Sequence, residues 1–232
     1  MKIKLALLLI TGLLAIQVHG DGRRYVWTYE YQTLHKGDAE LESYTEFSHM
    51  DTDSGRQAAT SLQYEYEIGM NERFDVGIYQ KFKQAYDSPL SYDGFKLRFR
   101  YRLREKRQWF MDPLIYLEYK SNSALNDNVL ETKLILARDF DKFNLSLNPV
   151  LEFEFGEDET ETKFEYTSGL SYELHPLLTL GLELKGDTES YYWGPTISHG
   201  KEELWFAIGL LTPGTSGAEL DRKIRFIIGV GL

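Results

Sequence analysis

From Phe95 to Arg104 every second residue is apolar and every residue between is a cation. Phe95, Leu97, Phe99, Tyr101 and Leu103 interleave with Lys96, Arg98, Arg100, Arg102 and Arg104. A helix would scatter both sets around its circumference, whereas an extended strand sorts them onto opposite faces. The same period returns in Leu62, Tyr64, Tyr66 and Ile68 against Gln63, Glu65 and Glu67. It returns in Leu145, Leu147, Pro149, Leu151, Phe153 and Phe155 against Asn148, Glu152 and Glu154, and again over 164–174 and 178–184. No window of similar length has helical periodicity, so the chain reads as an all-β meander. Sixteen tyrosines and 13 phenylalanines against six prolines agree with that.

Alternation alone does not say which face meets solvent, since a soluble lipocalin-like barrel has the same period with its apolar row turned inward. The connections break the tie. Short turns are expected at 70–73, 105–108, 139–142, 175–177 and 199–201, and longer polar links at 50–59, 85–93, 121–128, 156–162, 186–190 and 212–221. Alternate connections of a meander lie at opposite ends, so the short ones share one rim and the long ones the other. That is the asymmetry of short periplasmic turns and longer extracellular loops found in transmembrane β-barrels. The chain also ends on an apolar row, Ile224, Phe226, Ile228, Val230 and Leu232, which resembles the C-terminal targeting strand of outer-membrane barrels and implies the barrel-assembly machinery as a partner. Leu232 stands where that strand usually has an aromatic residue.

Counting back from this strand gives about twelve antiparallel strands beginning near Glu40. A further strand-like stretch, 25–34, is left over, with Tyr25, Trp27, Tyr29 and Tyr31 alternating with Thr28, Glu30 and Gln32. An even barrel requires this stretch to be folded inside, to cap a rim, or to be offset by merging two other strands.

Residues 1–20 have the three parts of a secretory signal: Lys2 and Lys4, an apolar run from Leu5 to Ile16, and small residues around Val18-His19-Gly20, with cleavage expected after Gly20. The expected mature domain, 21–232, holds 24 basic and 36 acidic residues, a net charge of −12, which argues against nucleic acid as a partner. The absence of cysteine suits an exported chain and removes metal–thiolate chemistry. The expected location is the bacterial outer membrane, with its lipid and lipopolysaccharide as partners.

Three segments carry a family resemblance. Thr33-Leu34-His35-Lys36-Gly37-Asp38-Ala39-Glu40-Leu41-Glu42 is similar to a Thr-Leu-Pro-Lys-Gly motif followed by paired glutamates, with His35 in place of the proline. Tyr66-Glu67-Ile68-Gly69-Met70-Asn71-Glu72-Arg73-Phe74 is similar to a Tyr-Gly-Leu-Thr-Asp-Arg turn, and Gly194-Pro195-Thr196-Ile197 extends the likeness toward the end. These resemble a family of proteobacterial outer-membrane barrels related to porin-like proteins encoded beside aromatic-degradation operons. The resemblance implies fold and location, and no substrate.

With apolar rows toward lipid, the lumen would be lined by Lys81, Lys83, Lys96, Arg98, Arg100, Arg102 and Arg104, with Glu65, Glu67, Glu118, Glu152, Glu154, Glu165 and Glu173 across from them. Such walls would set a transverse field favouring charged or dipolar solutes. The blander reading, which is preferred, is an ion-pair network that fills a narrow lumen, because unpaired interior charges cost too much and twelve strands are intermediate between filled and open barrels. The function expected is a porin-like passive channel or structural barrel, open at most to small solutes. The alternatives are a soluble exported barrel holding a small apolar ligand, and a membrane-surface hydrolase. The hydrolase has little support. His35, His175 and His199 read as solvated, and His49 near Asp51, Asp53 and Ser54 lacks the His-x-Ser-Asn-Gly motif of outer-membrane phospholipases. The acidic stretches 51–55 and 157–161 do not complete a calcium loop; Leu62 stands at the twelfth position of the first. No cofactor, metal or catalytic residue is expected. Trp109, Phe110, Tyr191, Tyr192 and Trp193 read as interfacial girdles.

Overall fold

The computed structural model describes residues 20, 22–52, 55–156, 160–201, 203–215 and 222–232. The expected signal, apart from Gly20, lies outside the described residues, as do Asp53, Ser54, 157–159 and the side chain of Asp51, so the expectations that rest on them are not addressed. Twelve strands follow one another: β1 (Ala39–Thr52), β2 (Gly55–Asn71), β3 (Phe74–Gln84), β4 (Ser91–Arg102), β5 (Asp112–Ser121), β6 (Asp127–Phe140), β7 (Phe143–Gly156), β8 (Thr160–His175), β9 (Leu178–Gly186), β10 (Tyr191–Lys201), β11 (Leu204–Pro213) and β12 (Arg222–Gly231). Each pairs antiparallel with its chain neighbours. β1 closes the ring on β12, from Glu40 opposite Gly231 to His49 opposite Arg222. Closure leaves no edge strand, which a wall surrounded by lipid requires.

Side-chain orientation decides between the two kinds of barrel. Leu41, Tyr64, Tyr66, Ile78, Phe99, Ile115, Leu117, Leu151 and Phe206 are exposed on the outside. Glu40, Glu42, Glu65, Glu67, Arg98, Arg100, Glu118, Asn148 and Glu183 on the alternate rows are buried inside. A barrel dissolved in water would have these rows reversed. The soluble-barrel reading therefore fails on orientation, and the outward apolar belt suits a lipid surround.

One expectation about a segment is corrected, and one open alternative is decided. Residues 50–52 and 55–59, expected in a loop, are strand, because β1 runs to Thr52 and β2 restarts at Gly55 with Thr52 opposite Gly55. The 17 residues of β2 exceed the roughly 9–11 that cross a bilayer, so this hairpin projects beyond the membrane on the long-loop rim. Of the alternatives open for residues 25–34, the structure has the stretch folded inside the barrel, as an irregular segment. That removes the parity problem.

Candidate functional site: a filled lumen

The segment before β1 enters at the short-turn rim, rises into the lumen and returns to the same rim. At its exit the Gly37 amide donates to the Gly69 carbonyl at 2.8 Å and the Gly69 amide to Asp38 at 2.9 Å, tying it to the β2–β3 turn. Its tip is fixed by side chains of the wall. The amides of Val26, Trp27 and Thr28 donate to the Glu183 carboxylate at 2.8, 2.9 and 2.7 Å. Asn148 brackets Tyr29, accepting from its amide at 2.6 Å and donating to its carbonyl at 3.1 Å. The Tyr25 hydroxyl donates to the Asn144 carbonyl at 3.0 Å, and Arg225 reaches the Val26 carbonyl at 3.1 Å. Arg24 bridges Glu30 at 3.0 Å and Asp139 at 2.9 Å. Burial lifts the Glu30 carboxyl above the usual carboxylate range despite Arg24 beside it. An irregular chain inside a lumen must find partners for its own amides and carbonyls, and these side chains supply them.

The wall gives this plug room where its side chains are small. β8 to β11 turn Gly169, Ser171, Gly181, Thr196, Ser198, Ala207 and Gly209 inward. A Cβ at Gly169 would lie 2.5 Å from the Tyr25 ring, and one at Gly209 would lie 2.5 Å from both the Trp27 ring and Val26. Trp27 and Val26 pack with Tyr44, Trp205, Ala207, Leu211 and Ile227, and Tyr31 with Leu114, Ile135 and Ala137. These inward apolar residues were not singled out from the sequence. Their signal was apolar positions inside otherwise polar rows, as at Ile227 and Leu114.

The opposite wall, β2 to β7, carries the charges. Arg98 crosses β3 to reach Glu65 at 2.8 Å, and it also contacts Glu67. Gly77 sits between them in register, opposite Glu67 on one side and Arg98 on the other, and a Cβ there would meet the Glu65 carboxylate. Arg100 grips Asp75 at 2.7 and 2.9 Å and also contacts Glu67. Lys96 pairs with Glu118 at 3.3 Å, and Lys120 with Glu131 and, at 2.7 Å, Glu152. The acids therefore do not face the cations across the lumen, as expected, but lie beside them on the same wall. Alternate inward residues on adjacent strands are within side-chain reach, while the far wall is blocked by the plug.

The rest of the expected set spreads out. Lys81 and Lys83 share Asp93 at 3.1 and 2.6 Å near the long-loop rim, where Lys83 is mostly exposed. Arg102 sits at the short-turn rim against the Tyr31 ring, and Arg104 lies beyond the end of β4 over Trp109. Glu154 pairs with Lys163 in a half-exposed position, and Glu165 with Lys185. Glu173 lines the short-turn mouth. His35, His175 and His199 are exposed at the short-turn rim, where His35 and His199 line one cavity and His175 and His199 flank Leu178, while the half-buried His49 lies toward the other rim. Among the girdle residues Trp109, Phe110 and Trp193 are exposed, but Tyr192 is buried and points inward because it occupies the alternate row of β10. Among the described residues one trio of carboxylates could in principle share an ion, Glu40, Glu42 and Glu67; Glu40 accepts from the Trp205 indole and Glu67 is held by both arginines.

A cavity lies on each side of the plug. Toward the short turns a cavity of about 410 Å³ is lined by Gly22, Arg24, Leu34, Lys106 and His199. Toward the long loops one of about 200 Å³ is lined by Lys96, Lys120, Lys133 and Lys185 over Trp27 and Tyr29. Arg23 borders both, stacked 4.4 Å from the Tyr29 ring and bonded to the Tyr44 hydroxyl at 3.1 Å.

No family model matches the chain, and no curated protein matches it by sequence. Solved structures do. An outer-membrane channel from Pseudomonas putida F1 aligns over 90% of this chain and 100% of its own, with a TM-score of 0.66 and 11% identity. A porin determined in complex with disordered oligogalacturonate, KdgM, aligns over 83% of this chain and 97% of its own at 0.55 and 14%. The NanC porin aligns over 82% and 98% at 0.54 and 9%. The chain thus has the fold of the outer-membrane β-barrels.

Proposed function

We propose that this protein is a porin-like passive channel of the bacterial outer membrane, closed in the conformation described here by residues 22–34. The observation that carries the reading is the plug between two cavities. A structural barrel needs only a filled interior, which side chains could supply, as they do in eight-stranded barrels. Here one wall turns Gly169, Ser171, Gly181, Thr196, Ser198, Ala207 and Gly209 inward, and a segment with both ends on the same rim fills the space beside them. Such a segment can leave toward the periplasm without unpairing a strand. Once it is gone, β8 to β11 would leave an opening beside an unbroken charged wall. Likeness to channels and porins supports the reading.

Single-channel recording in planar bilayers tests it. The wild type is expected to show rare, small openings, and Arg98→Ala with Arg100→Ala is expected to alter their conductance. Absence of current under every condition, including variants that loosen the plug, would reduce the protein to a structural barrel. Recovery of the protein by osmotic shock without detergent would contradict its place in the membrane.

A further inference from the structure

The Glu183 carboxylate is buried, and no cation among the described residues pairs with it; its neighbour Lys185 on the same strand is engaged with Glu165. Its partners are three consecutive backbone amides, neutral donors that form a nest with partial positive charge. Those bonds are charge-assisted through the carboxylate alone; an ammonium group would add a full positive charge opposite a buried anion that has no cation beside it among the described residues. Beside the carboxylate lie the slots vacated by glycine, and their present occupants show what fits. The amide nitrogen of Trp27 donates to Glu183 at 2.9 Å while its indole fills the space against Gly209 and donates from Nε1 to Glu46 at 3.1 Å. Nitrogen, two carbons and an indole are the skeleton of an arylethylamine.

We propose that Glu183, Glu46 and the Gly209 slot form a binding site for arylethylamine-type organic cations, which compete with Trp27 for the wall and so hold the plug out. This rests on the channel reading above and adds the class of solute that opens it. A ligand that binds only the plug-out state raises that state's population in proportion to its occupancy. Charge must matter as well as shape, because a neutral indole fills the slot without satisfying Glu183.

The test is single-channel recording of the full chain with tryptamine, 3-methylindole or indole-3-acetate added on the short-turn side. Open probability is expected to rise saturably with tryptamine, at about tenfold lower concentration than with 3-methylindole. Indole-3-acetate is expected to have no effect, and Glu183→Gln to erase the preference for the amine while the barrel keeps its heat-modifiable gel mobility. Gly209→Val, which fills the slot, is expected to remove the response to both indoles. An equal response of the wild type to all three probes overturns the site while leaving the channel intact. Absence of current in every variant overturns the channel. In that case equilibrium dialysis with labelled tryptamine decides the site alone, and binding by Glu183→Gln equal to wild type overturns it.

Discussion

The two halves of the lumen wall solve opposite problems. β2 to β7 carries long charged side chains that neutralise one another within the wall, Arg98 on Glu65 and Glu67, Arg100 on Asp75, Lys120 on Glu131 and Glu152. β8 to β11 carries small residues around Tyr192, Trp205 and Leu211, and the N-terminal segment fills the space that the small residues leave. In the first half the charges satisfy one another, although β5 to β7 also touch the segment through Leu114, Ile135 and Asn148, and removing a charged member leaves a buried charge unpaired. The second owes its packing to a detachable element, and removing a contact there frees the element without opening the barrel wall. Stability should respond to the charged half and permeability to the small-residue half.

The largest expected effect is therefore on the charged side. Arg98→Ala strands Glu65 and Glu67 in the interior and should destabilise the barrel by about 3–5 kcal/mol, read as a lower urea midpoint for loss of heat-modifiable mobility in lipid vesicles. Next comes Gly77→Ala. Its methyl would press on the Glu65 carboxylate and lie 3.2 Å from the Arg98 guanidinium nitrogen Nε, at a cost of about 1–3 kcal/mol in the same assay. On the other side, Glu183→Gln should leave the urea midpoint within about 0.5 kcal/mol, as for a change outside the wall's own packing. It should speed protease cleavage at residues 25–31 in vesicles about tenfold, since the plug would lose charge-assisted bonds worth about 1–3 kcal/mol. If Glu183→Gln lowers the midpoint as far as Arg98→Ala, the division into two halves is wrong. The smallest effect is expected at Lys163→Ala, whose bridge to Glu154 is half-exposed and screened, at about 0–0.5 kcal/mol.

Much of the barrel was legible because a strand wall repeats one rule. Period two from Phe95 to Arg102 sorts residues inward and outward, whereas the alternation of connections holds less well, because the link after β4 spans 103–111 and not the short turn expected at 105–108. Strand count and the start of β1 near Glu40 followed from counting. The stretch at 50–59 was misread because Asp, Thr and Gly mark turns by composition, while strand pairing keeps Asp51, Thr52 and Gly55 extended. The stretch at 25–34 alternates like a strand, and its inclusion in the lumen depends on glycines at 169, 181 and 209, far away in the chain. A glycine in a strand reads locally as a weakness, and only the packed structure shows that it is space. The acids were placed across from the cations for a related reason. Sequence gives the face of each residue but not the width of the lumen or what fills it, and Gly77 as the gap that lets Arg98 cross β3 is likewise invisible locally.

The central claim is that residues 22–34 close the lumen, and a reversible tether tests it. The chain has no cysteine, so Val26→Cys with Gly209→Cys places the only two thiols on plug and wall, where a Cβ at 209 would lie 2.5 Å from the Val26 side chain. In a Glu183→Gln background the account predicts channel current under reducing conditions, its loss when the disulfide forms, and its return on adding reductant. The same conductance in both states, with the cross-link verified by gel shift, would mean that solutes pass beside the plug and would contradict the account.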